Sequence, residues 1–265
     1  MTGPGTLAAA APVSSGQARM WFLDQLGAPG AYNVALAFEL PHVSAEVLER
    51  ALAAVTARHD ALRATFALGV DGLEQRLHEH APVEVDVVDG DPAAAVRAAA
   101  SRPFDLATGP LLRARVVRRP GEADLVTVAI HHIAADSSSL DVLASDLWEC
   151  YFAFAAGRTP ELAPVTTSYA DYARWQRTWL DSDECRNQLA YWRSRLADAP
   201  QEVPLPAGGR RRLDVPPHGD SVTTTIDGAA YAALVELTLD RGATLFMTTV
   251  TLYACMLAAV AGVDD

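Results

Sequence analysis

The sequence predicts an α/β (α+β) two-layer sandwich. Three observations point there. Strand-like and helix-like apolar patterns are mixed along the chain, which suits packed sheets and helices rather than a bundle. With 50% of its 265 residues hydrophobic, the chain can bury a sizeable core. A stretch dense in proline, glycine and arginine, "DAPQEVPLPAGGRRRLDVPPHGD", separates a long first region from a short last one. The expected organisation is therefore residues 1–198, a linker over 199–219, and residues 220–265.

The elements follow in order. "SSGQARMWFLDQL" places Ser14 three residues before Gln17, a capping-box start for a helix. "YNVALAFEL" alternates, with Val34, Leu36, Phe38 and Leu40 on one face of a half-buried strand. Ser44 opens a helix that presents Val47, Leu48, Leu52 and Val55, and this leads into "RHDALRATF". Short strands are expected near residues 63–66, 75–79 and 83–88, and "DPAAAVRAAASRP" is a helix with proline near its start. "LLRARVVRR" and "DLVTVAIHH" read as neighbouring strands of one sheet. The next helix shows Leu140, Leu143, Leu147 and Tyr151 at helical spacing and stops at Gly157. Ser168 with Asp171 caps "SYADYARWQRTWL", and "ECRNQLAYWRSRL" continues the helical material. After the linker come a strand, "SVTTTID", a helix over 229–240, and a last apolar helix.

Composition narrows the function classes. A net charge of -12 argues against nucleic acid and against anionic membrane surfaces, both of which want clustered cations. All 21 cationic side chains are arginine, which fits a GC-rich genome better than a function. Cys150, Cys185 and Cys255 are far apart and odd in number, and they read as reduced core thiols of a cytoplasmic protein. The amino terminus has no positively charged leader region. Residues 244–263 are free of charge over a length that would span a bilayer. They lack an aromatic belt or flanking cations, so a helix buried on all sides of a globular core is the expected reading.

The chemistry concentrates in "IHHIAADSSS", residues 130–139. Consecutive side chains on a strand point apart, so His131 and His132 face opposite sides and serve different purposes. The same divergence argues against a metal site, since zinc wants ligands that converge. One reading is a strand that ends in polar residues, with Ser138 as helix N-cap and Asp141 as its N3 partner. The other is catalysis. An imidazole changes charge near neutrality, so His132 is suited to take a proton from an incoming nucleophile. Asp136, in the turn beyond the strand, either pairs with an arginine or orients a histidine. No G-x-S-x-G, Walker loop, dinucleotide fingerprint or paired-cysteine zinc motif competes.

Taken together, these segments resemble the condensation domains of nonribosomal peptide synthetases, relatives of chloramphenicol acetyltransferase. "SSGQARMWFLDQL" is similar to the family's first motif, "RHDALRATF" to the second, "IHHIAADSSS" to the HHxxxDG motif and "YADYARWQ" to the fourth. "GATLFMTTVTLYACMLAAVAGVDD" is similar to the helix that opens the second lobe. The resemblance covers nearly the whole chain. It implies a chloramphenicol-acetyltransferase-like fold, with a complete N-terminal lobe over 1–198 and the beginning of a C-terminal lobe over 220–265, the chain stopping within that lobe. It also implies amide formation between a donor acyl thioester and an acceptor aminoacyl thioester. Both are carried on the 4'-phosphopantetheine arms of peptidyl carrier proteins, beside neighbouring synthetase domains and with no cofactor bound by the domain itself. His132 becomes the catalytic histidine, His131 its support, and Asp136 the structural aspartate paired with Arg63. Ser137 and Ser139 become residues that face the substrate.

Ser137 stands where the family motif has glycine, which would admit positive φ and a close backbone approach to the thioester. That departure, with the incomplete second lobe, leaves a second reading beside condensation: a non-catalytic platform on which carrier proteins or tailoring enzymes dock. A third is acyl transfer to a free small acceptor.

Overall fold

The computed structural model describes residues 6–27, 30–70, 72–200, 205 and 222–262. The expected linker therefore lies outside the described residues except for Ala199, Pro200 and Leu205. The chain forms two compact units, Met1–Arg186 and Asn187–Asp265.

The first unit opens with strand β1 (Leu7–Pro12) and helix α1 (Ser15–Gln25). Ser14 caps α1 as the spacing predicts: its side chain accepts from the Gln17 N–H, and the Gln17 side chain accepts from the Ser14 N–H. Strand β2 (Asn33–Leu40) and helix α2 (Ala45–Arg58, capped by Ser44) follow. A turn of 3-10 helix, Asp60–Arg63, then enters β3 (Ala64–Gly69). Next come β4 (Gly72–His78), β5 (Glu84–Asp89), helix α3 (Pro92–Ser101), β6 (Leu112–Arg118) and β7 (Asp124–His131). Helices α4 (Ser137–Ala155), α5 (Tyr169–Leu180) and α6 (Asp183–Arg195) complete the series, and the boundary between the units falls inside α6.

Two sheets result: a three-stranded one, β1-β4-β3, and a four-stranded one, β2-β7-β6-β5. Within them only β5 and β6 run parallel. The central strand β7 is buried along its whole length, because both its faces are covered. Val126, Val128 and Ile130 pack into one core with Leu48, Leu52 and Val55 of α2 and Leu143 and Leu147 of α4. Ala129 packs into a second core with Ala64 and Phe66 of β3 and with Phe104, Leu106 and Leu111. Alternation along β7 thus sorts its side chains between two cores.

Contacts between distant segments close the lobe. The Ser14 hydroxyl lies 2.9 Å from the Tyr169 hydroxyl, and the Ser15 N–H donates to Gln176 Oε1 at 2.7 Å. The amino end of α1 and the face of α5 therefore meet.

The second unit contains helices α7 (Gly228–Asp240) and α8 (Leu245–Ala261), joined beside their connecting turn by a 2.9 Å bond from Thr238 Oγ1 to Thr248 Oγ1. Three expectations are corrected there. Residues 222–227 form no strand: β-branched threonines extend into a sheet only where a partner strand exists, and no strand among the described residues pairs with them. Helix α8 is not buried on all sides: none of its residues is buried, and Phe246, Met247 and Tyr253 are more than half exposed. Cys255 is accordingly an exposed thiol, whereas Cys150 and Cys185 are buried. Among the described residues no single helix is long and apolar enough to cross a membrane. Helices α7 and α8 pass that test only as a pair, bent by 109°.

Candidate active site

The site grows from the end of β7. The His131 N–H donates to the Leu111 carbonyl at 3.1 Å, and the His132 N–H donates to the Tyr32 carbonyl at 2.8 Å. The neighbouring chain on each side therefore holds one of the two histidines. His131 is the last residue of β7, and His132 is the first of the turn that follows.

His131 is buried on the Ala129 face, its ring 6.2 Å from Phe104 and 6.5 Å from Tyr32 between centroids. Its Nδ1 accepts the Ile133 N–H at 3.0 Å, so the neutral ring carries its proton on Nε2. Burial, reinforced by His132, holds its pKa down to about 4. The ring stays uncharged at neutral pH and shapes the turn that follows. His132 is partly buried, and its Nδ1 is sealed from solvent without a hydrogen-bond partner. With Nδ1 shut off, an incoming group can meet this ring only at Nε2.

Asp136 ends this turn and starts α4. Its Oδ1 accepts both the N–H of Ser139, at 2.8 Å, and the Ser139 hydroxyl, at 2.6 Å. Those bonds hold its carboxyl below the usual carboxylate range. The helix cap is therefore Asp136 with Ser139, where Ser138 with Asp141 was expected.

The expected pair between Asp136 and Arg63 is also absent: among the described residues no ion pair joins them. The Arg63 guanidinium instead donates to the Thr56 carbonyl, at 3.1 Å, and to the His78 carbonyl. Arg63 thus ties the end of α2 to the end of β4, while Asp136 sits exposed at a helix end where backbone and hydroxyl donors satisfy it. Ser137 is exposed and is the first residue of α4, and its φ is not positive. The freedom that glycine would bring there is not used. Ser139 caps the helix and also lines a cavity.

That cavity, of about 340 Å³, lies between residues of the motif turn and the start of the 3-10 helix. Ala134, Ala135 and Ser139 form one wall, and His59, Asp60 and Leu62 another, with Tyr169 closing it. A buried cluster fixes the far wall: Asp146 Oδ2 lies 2.8 Å from both Arg58 Nε and His59 Nε2, and Arg58 Nη2 donates to the Ala163 carbonyl. His59, Asp60 and Tyr169 received no role from the sequence. Their contacts cross 87 residues (His59 to Asp146) and 109 residues (Asp60 to Tyr169), and no local pattern announces such partners.

Comparison with known proteins places this geometry. The family model described as "Condensation domain" matches residues 8–265. Chondramide synthase cmdD of Chondromyces crocatus is 36% identical over 96% of the chain, which spans 7% of that protein. The solved complex of the X-domain and OxyB from teicoplanin biosynthesis aligns with a TM-score of 0.77 at 29% identity, covering 92% of this chain and 56% of that one. The condensation domain from the monacolin K polyketide synthase MokA, at 22% identity, shares the fold with a TM-score of 0.78 over 97% of this chain and 61% of its own. The chain thus spans little more than half the length of these solved domains and a small part of the curated synthetase.

Proposed function

Since the chain belongs to the condensation-domain family of nonribosomal peptide synthetases, we propose that it serves amide bond formation between two carrier-bound thioesters. The observation that carries this reading is the placement of His132, partly buried and directly after a strand that is bonded along both edges. In the reaction, the acceptor's amine nitrogen attacks the donor's thioester carbonyl. A carbon–nitrogen bond forms, the carbon–sulfur bond breaks, and the amine's proton leaves for the departing thiolate. His132 either accepts and returns that proton or holds the amine in line for attack, and the same ring steadies the charge that develops. His131 is a positioning residue, neutral and hydrogen-bonded to the Ile133 N–H. Asp136 and Ser139 set the start of α4 beside it. Arg63 supports the second motif from a distance, with no part in the chemistry.

The substrates arrive on phosphopantetheine arms of donor and acceptor carrier proteins, next to other synthetase domains. The free thiols of Cys150, Cys185 and Cys255 support a reducing, cytoplasmic setting.

A second reading, a docking platform for carrier proteins or tailoring enzymes, has support in the likeness to an X-domain solved with OxyB. One assay separates the two. Single-turnover amide formation is measured with donor and acceptor thioesters on carrier proteins, for this chain and for His132→Ala. Condensation predicts product that falls by roughly 10²–10⁴-fold in His132→Ala. Carrier protein binding without any product, both from this chain and from a longer one that spans the full length of the solved domains, supports the platform and overturns condensation.

A further inference from the structure

We infer that His132 works as a hydrogen-bond donor and not as the base: its Nε2 carries the ring proton and holds the oxygen of the tetrahedral intermediate. This rests on the condensation reading for the reaction, and on the surroundings of the ring alone for the place of the proton.

The two ring nitrogens differ. Nδ1 is sealed from solvent and bonded to nothing, so substrate meets the ring at Nε2. A neutral imidazole has one proton and one lone pair to divide between its nitrogens. With the proton on Nδ1, a buried N–H would have no acceptor, and an orphaned N–H is rarer in folded proteins than an under-satisfied acceptor. With the proton on Nε2, the N–H meets water or a substrate oxygen. The proton therefore belongs on Nε2.

A base needs the reverse. To offer a lone pair at Nε2, the ring would keep its proton on Nδ1. Once it took up a second proton, it would be positively charged with that Nδ1–H still unbonded, and an unsatisfied group costs more when it is charged. A histidine that works as a base has its other nitrogen bonded, as by the aspartate of a serine protease triad. His132 has no such partner. The Asp136 carboxylate beyond the turn binds the two donors of Ser139 through Oδ1. The Tyr32 carbonyl accepts the backbone N–H of His132. The neighbouring His131 ring uses its own Nδ1 on the Ile133 N–H.

The step balances without a base. The amine nitrogen gives its lone pair to the thioester carbon, and the carbonyl π pair moves to oxygen, which the Nε2–H holds. When that pair returns, the carbon–sulfur bond breaks, and the departing thiolate takes the proton that the nitrogen sheds. An N–H aimed at the oxygen is worth most as the charge develops.

Two measurements test this. The first reads the ring itself in the 265-residue chain. Nitrogen NMR spectra of the histidine rings are recorded at about pH 8, where an ordinary imidazole is uncharged. The His132 signals are those that His132→Gln lacks. Nε2 should show the signature of a protonated nitrogen and Nδ1 that of a bare one, as a single tautomer and not the mixture of a free ring. A proton on Nδ1 overturns the inference.

The second is single-turnover amide formation by a longer chain that spans the full length of the solved domains. His132→Gln keeps an N–H donor and cannot act as a base, whereas His132→Glu accepts and does not donate. Glutamine is expected to exceed His132→Ala by at least about tenfold, out of the roughly 10²–10³-fold that one such donor supplies, and glutamate by no more than about twofold. Glutamate above glutamine, or neither above alanine, overturns the inference. The condensation reading fails separately: no product from the unaltered longer chain sinks that reading and the reaction step with it, while the nitrogen spectra still decide the place of the proton.

Discussion

Asp136 holds Ser139 twice through a single oxygen, accepting its backbone N–H at 2.8 Å and its hydroxyl at 2.6 Å. The carboxylate is thereby spent on starting α4, and Arg63 is spent on two carbonyls elsewhere. The two residues should therefore act independently. Asp136→Ala is expected to cost about 1 kcal/mol, the value of a helix cap. In a double-mutant cycle with Arg63→Ala the coupling should stay below about 0.5 kcal/mol. Urea unfolding of the four proteins checks this, and a coupling well above that value would restore the pair.

His131 makes stability depend on pH. Its folded pKa of about 4 lies below the unfolded value of 6.5, so between these pH values the unfolded chain binds more protons. Its contribution is complete above pH 6.5 and is lost as pH falls toward 4. The loss is on the order of 3 kcal/mol. His131→Gln, which does not titrate, should be less stable than the parent at pH 7 and should lose less between pH 7 and pH 4. Thermal unfolding across that range is the measurement.

Asp146 is the single acceptor that joins Arg58 and His59, with its side chain 10% exposed. Asp146→Ala leaves two donors without it and should destabilise the fold by about 3 kcal/mol. Asp146→Asn, which keeps an oxygen, should cost less. Because His59 forms part of the cavity wall, both substitutions should also shift the Leu62 and Leu143 methyl resonances.

Ser137 sits in the first turn of α4 with ordinary helical backbone. Ser137→Gly should thus leave amide formation within about twofold and destabilise the chain by no more than about 1 kcal/mol. A large gain in rate with glycine would show that the close approach matters after all.

Much of the fold was legible because local chemistry decided it. Ser14 with Gln17, Ser44, and Ser168 with Asp171 mark helix starts by side-chain bonds that span only three residues. The alternation of residues 34–40 showed in the same way. Around residue 136 the same rule gave two solutions. Asp136 with Ser139 and Ser138 with Asp141 have identical spacing, and only where β7 ended selects the first. Arg63 suggested a carboxylate partner, but backbone carbonyls accept as well as carboxylates do, and carbonyls have no sequence signature. Threonines at 223–225 promised a strand that needs a partner, and the apolar run of α8 promised burial that needs a cover. The cavity wall was hidden for a different reason: His59, Asp60 and Tyr169 become neighbours only after α2, α4 and α5 have packed.

The place of the histidines on β7 has a consequence for motion. Strand β7 is bonded along both edges and buried on both faces, so its amides exchange with solvent only when the whole lobe opens. Exposed helix starts such as that of α4 open at far lower cost. A ring mounted where slow-exchanging backbone ends and fast-exchanging backbone begins keeps its own position fixed. The turn beside it remains free to breathe.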